Sequence, residues 1–156
     1  MSIHEQASWL RWTFLIGVSL LFTHELDAMT HAEWRVLPLT SWLQPELGRV
    51  IFVTFHVPIF ALVLGWLTSQ VPGRAITAQF WLSGFLVVHA VLHLAFSGQP
   101  TYTFDGILSN SLIFGSAMCG AIYLWCAHYR QGGLSKFPQA GAGGTFGAVA
   151  TRPKTS

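Results

Sequence analysis

Residues 50–68 read VIFVTFHVPIFALVLGWLT, a stretch without a single Asp, Glu, Lys or Arg. An apolar run of about 18 or more residues is long enough to cross a bilayer as a helix. Three more stretches of this kind lie on either side of it, at roughly 9–29, 76–96 and 106–128. Their connections are about 20, 7 and 9 residues long, so consecutive helices are expected to run antiparallel. The expected fold is therefore all-α, an integral membrane four-helix up-down bundle. Pro72-Gly73 and Ser97-Gly98-Gln99-Pro100 are the turn signals between spans.

Composition agrees. The 156 residues are 52% hydrophobic and only 9% charged, where soluble domains carry about 25% charged residues. The net charge is +2 and most basic residues stand singly, which argues against a nucleic-acid partner. Cys119 and Cys126 both lie in the last apolar stretch and imply no disulfide framework. Residues 1–128 are expected to form the transmembrane domain. Residues 129–156, rich in Gly, Ala and Thr, read as a disordered tail. The first stretch lacks a small-x-small cleavage site and closes on His24, Glu25 and Asp27, so it reads as a span rather than a signal peptide. Arg11, Arg74, Arg130 and Lys136 fall on one side of the bundle, and Arg35 and Arg49 on the other. This bias predicts both termini in the cytoplasm.

Ionisable residues at membrane depth mark functional sites by default. With a rise of about 1.5 Å per residue, His24 lies about 8 Å below the outer end of its span and His56 about 9 Å below its own. His93 and His89 lie at about 5 and 11 Å, and Asn110 at about 6 Å, with Asp105 at the mouth. The inner half holds little beyond Arg11 and Gln79. His24, Asp27 and His31 share one helical stripe if the first helix continues to 31. His89 and His93 are i, i+4, a spacing that lets two imidazoles reach one cation. Glu25 is turned about 100° from His24, toward a neighbouring helix. Pro58 predicts a local kink beside His56. The long first loop, Thr30 to Gly48, is either a cover over this polar layer or a surface segment in which Glu33 pairs with Arg35. Histidines that merely hydrogen-bond between helices are the structural alternative.

The pattern His24-Glu-Leu-Asp-Ala, His31-Ala-Glu-Trp-Arg, Phe55-His-Val-Pro and His89-x-x-x-His93 resembles a family of small uncharacterised bacterial four-helix membrane proteins, similar in layout to the HXXEE-motif membrane proteins. The resemblance covers about residues 10–126 and implies a polar site inside the membrane. It implies no particular activity. With the apolar composition, it places the chain in a bacterial inner membrane.

Three functions compete. The first is a metal-dependent membrane enzyme acting on a lipid-like substrate from the outer leaflet. Its ligands would be His24, His56, His89 and His93 with Asp27 or Glu25 as the carboxylate, a set that suits Zn or Fe. Glu25 or Glu33 would serve as general base. The second is haem or pigment held between His56 and His93 or His89. The third is a non-catalytic subunit of a larger membrane complex or homo-oligomer.

Overall fold

The computed structural model describes residues 3–134. Four helices follow in order: α1 (Ile3–Thr30), α2 (Pro45–Leu67), α3 (Arg74–Phe96) and α4 (Ile107–Leu134). A short 3-10 turn at Glu33–Arg35 lies between α1 and α2. No strand occurs among the described residues. α4 runs on through residues 129–134, the first part of the expected tail; the rest of that tail lies outside the described residues.

Local chemistry sets the helix ends. α2 starts at Pro45, where the missing N–H would have had no intrahelical partner anyway. It runs through Pro58 as a continuous helix. Its last turn closes when the Thr68 hydroxyl donates to the Leu64 carbonyl at 2.8 Å. Gly73, at φ +80°, turns the chain into α3 in a conformation that favours glycine. The Asn110 side chain donates to the Gly106 carbonyl at 3.0 Å, so it serves its own helix rather than a neighbour.

Small residues bring α4 against both α1 and α3. A Cβ on Gly17 would stand 2.7 Å from Cys119 Cβ, and one on Gly120 would stand 2.5 Å from the Ser83 carbonyl oxygen. Close approach of this kind drives helix association where lipid is as apolar as the interface. Two apolar clusters fill the bundle. One gathers Ala28, Trp34, Phe52, Ala90, Phe104 and Ile113. The other, toward the N-terminal half of α1, gathers Leu10, Phe14, Val18 and Tyr123. α2 is peripheral, with only Gly48 and Phe52 buried.

Three helices are long and apolar enough to cross a membrane: Pro45–Leu67, Arg74–Phe96 and Ile107–Tyr129. α1 is not among them. Its apolar run is broken by Arg11 near one end and by His24, Glu25 and Asp27 near the other.

Candidate metal centre

α1 delivers His24 and α3 delivers His89 and His93, all three buried in the bundle. The Nε2 atoms of His24 and His93 are 3.1 Å apart. The ring of His89 stands edge-on to both, with centroids 5.0 Å from His24 and 4.7 Å from His93. The first loop adds a fourth donor. Immediately after α1, Ala32 adopts φ 50°, ψ 50°, a left-handed conformation that costs a non-glycine residue about 1–2 kcal/mol. This reversal sends Glu33 back into the bundle. Its Oε1 lies 3.6 Å from His93 Nε2 and its Oε2 lies 3.9 Å from His24 Nε2.

The loop is fastened on several sides. The Thr40 hydroxyl donates to the Trp34 carbonyl at 2.7 Å. Thr101 donates to the Arg35 carbonyl at 3.3 Å, and Thr103 to the His31 carbonyl at 3.4 Å. Trp34 packs over Gly48, where a Cβ would stand 2.9 Å from the indole. The loop therefore covers the polar layer. The alternative of a surface Glu33–Arg35 pair does not occur, since Glu33 is buried and Arg35 is exposed.

His24, Glu33, His89 and His93 can each present a ligand atom within 4.8 Å of the other three. Zinc–nitrogen bonds of about 2.0–2.1 Å place tetrahedral donors about 3.3 Å apart, so the 3.1 Å separation of the two Nε2 atoms fits a shared cation. The hydrogen-bond inventory points the same way. His89 Nε2 and Glu33 Oε2 are buried without a partner, and each such group costs about 1–3 kcal/mol when left unsatisfied. His93 Nδ1 is within 3.3 Å of the Tyr102 hydroxyl. An Nδ1–H donated to that oxygen leaves Nε2 bare and aimed at the cluster, the usual orientation of a liganding imidazole. Phe104 closes the group from the other side, with ring centroids 5.5 Å from His24 and 4.9 Å from His93.

Burial works against ionisation of Glu33. The neighbouring imidazoles, His93 foremost and then His24 and His89, outweigh it and hold the carboxyl below its usual range. Burial, with the charges of Glu33 and Asp105, pushes the Tyr102 phenol up, so it remains protonated. A cavity of about 30 Å³ adjoins Glu33, His89, His93 and Tyr102, enough for one water.

The other residues expected in the layer lie in two separate groups. His56 Nε2 is 2.9 Å from Glu25 Oε2, while its Nδ1–H donates to the Phe52 carbonyl at 2.7 Å. One proton is therefore shared between His56 and Glu25. Asp27 accepts from the Ser109 hydroxyl at 2.6 Å, and His31 Nε2 lies 3.6 Å from its other oxygen. His31 Nδ1–H donates to the Thr103 hydroxyl at 3.0 Å. These three residues do not form a nucleophilic triad, because the serine proton already points at the carboxylate. They tie the end of α1 to α4 and to the turn before it.

Glu33 is expected from sequence as a base and stands among the possible ligands. No helical spacing links it to His24; only the backbone turn at Ala32 does. Axial ligands of a haem must stand on opposite faces of a macrocycle. The 3.1 Å contact between His24 and His93 leaves no slot for one, and His56 faces Glu25 instead.

No curated protein and no solved structure matches the chain. A model of a family of unknown function, DUF6713, matches residues 10–130. The buried histidine–glutamate cluster falls wholly inside that match, and the chain belongs to this family.

Proposed function

We propose that the chain is a four-span membrane metalloenzyme. In this reading a divalent cation, zinc or iron, is held by His24, Glu33, His89 and His93 in the outer half of the bilayer, and both termini are cytoplasmic. The observation that carries it is the convergence of three buried imidazoles and one buried carboxylate, two of whose donor atoms have no other partner. Length supports α1 as the fourth span: its 28 residues extend about 42 Å, against a hydrocarbon core of about 30 Å. The basic residues Arg11 and Arg74 at the opposite end from the site support the orientation.

Such a cation supplies Lewis acidity and activates water. The small cavity beside His89, His93 and Tyr102 leaves space for a reacting group next to the ligands. Glu33 serves as ligand in this reading, and Glu25 stays with His56 as a proton-holding pair. A site beneath the headgroups suits a lipid-like substrate.

The test is the metal content of detergent-purified protein beside Glu33→Ala and His89→Ala variants. Wild type should carry about one cation per chain and each variant should lose at least tenfold of it. Metal-free wild type, loaded neither as purified nor after incubation with Zn²⁺ or Fe²⁺, would sink the reading. So would variants that hold the cation as well as wild type.

A further inference from the structure

α2 meets the bundle at both ends and, between them, through Phe60, whose ring centroid lies 4.9 Å from that of Phe22 on α1. Near its start Phe52 packs on Trp34, with ring centroids 6.0 Å apart, and at its finish Leu67 packs against the Leu10–Tyr123 cluster. Between these points a cavity of about 300 Å³ opens among α1, α2 and α3. That volume is at the lower end of small-molecule sites. Glu25 and His56 stand at one end and Trp66 and Trp81 toward the other. His56 and Trp66 are ten positions apart, a run of about 15 Å along the helix. The walls between them are apolar, with Leu21, Val63 and Phe85 among them.

The polar end is asymmetric in its bonding. Glu25 Oε2 is engaged by His56. Among the described residues nothing donates to Glu25 Oε1, although the residue lines the cavity. The Glu25–His56 pair shares its proton internally, so the end of the groove presents one free acceptor and no free donor. A head that donates a hydrogen bond and carries no charge fits that acceptor without leaving an unpaired ion in an apolar site. A carboxylate head would meet the Glu25 carboxylate and be repelled.

We infer that the groove between α1, α2 and α3 binds a single-chain amphiphile with a hydroxyl head, the head donating to Glu25 and the chain lying along α2 toward Trp66 and Trp81. This deepens the lipid-substrate reading and rests on it for the membrane setting, but it needs no metal. The occupant class is a long-chain alcohol, whether an acylglycerol or a polyprenol.

Native mass spectrometry of the full chain in nonionic detergent tests it, with monooleoylglycerol and farnesol as probes of the two sources and oleate as the charged comparison. One alcohol should bind per chain, saturably, and at least about fivefold tighter than oleate. Val63→Trp fills the groove and should weaken binding at least about tenfold. Ile59→Trp is the second filling variant, and helical content by circular dichroism identifies any variant that has not folded. Glu25→Gln should abolish the preference over oleate. Oleate binding as tightly as either alcohol would overturn the inference. So would retention unaffected by both filling variants, or a dimer of this chain whose formation excludes the probes. Metal content is read on the same samples. Cation without lipid sinks only the groove, and lipid without cation sinks only the metal centre.

Discussion

The two halves of this bundle solve the same packing problem with different residues. Around Leu10, Phe14, Val18 and Tyr123 the interior is apolar, and the Tyr123 hydroxyl donates to Gln79 at 2.8 Å. Around His24 and Phe104 the interior holds three imidazoles and a carboxylate, some of whose polar atoms have no partner. Helix association asks only for the first arrangement. The second adds unsatisfied polar groups at a cost of about 1–3 kcal/mol each. Such a cost marks the half around His24 as the candidate site, because packing alone would be served better by leucine.

The largest way to break the comparison is steric. Gly120→Val places a Cβ against the Ser83 backbone oxygen, 2.5 Å away, where no flexible side chain can yield. A loss of about 3 kcal/mol or more of stability is expected, visible as a collapse of the melting temperature whatever the metal content. A milder loss, with melting unchanged, would mean the α3–α4 approach is not rigid.

Chelation should act on the half around His24 alone. A cation present at about a hundred times its Kd contributes about 2.7 kcal/mol to the folded state. EDTA should lower the melting temperature of wild type accordingly and leave His89→Ala unmoved. Acid works in the same direction, since imidazole nitrogens must be unprotonated to bind a cation. The Glu33 carboxyl, held below its usual range, stays ionised until more acidic pH. Its own contribution is present above the ordinary carboxylate range and is lost only as pH falls through its lowered value. Metal release should therefore follow protonation of the liganding nitrogens and precede any acid unfolding. Release that persists in His89→Ala at the same pH as in wild type would point to the carboxyl as the controlling group.

The smallest expected effects sharpen the contrast by removing one phenol from each half. Tyr102→Phe takes the partner from His93 Nδ1 and should weaken the cation about tenfold. Tyr123→Phe takes the partner from Gln79 and should cost about 1 kcal/mol of stability without changing the metal content. Equal effects of both on metal content would erase the distinction between the halves.

Much of this is written in the sequence as depth and little of it as direction. Apolar runs fix the helices, and the rise per residue puts His24, His56, His89 and His93 in one layer. The i, i+4 spacing places His89 and His93 on one stripe, as in the cluster. Rotation about each helix axis is another matter. His56 shares the depth of His24, yet α2 buries only Gly48 and Phe52 and presents the imidazole to Glu25. Asp27 shares the stripe of His24, yet it lies a turn nearer the end and meets Ser109. Glu33 has no periodic relation to anything. Its position follows from one left-handed residue, which an alanine does not advertise as a glycine would.

That residue couples two properties usually kept apart. Three of the four candidate donors ride on long helices, while the fourth is carried by the segment that also closes the site over. Moving that segment outward would unseal the chamber and lower its coordination number in one motion. Exchange of a cation with the surroundings would then have its rate and its affinity set by the same backbone torsion, at Ala32.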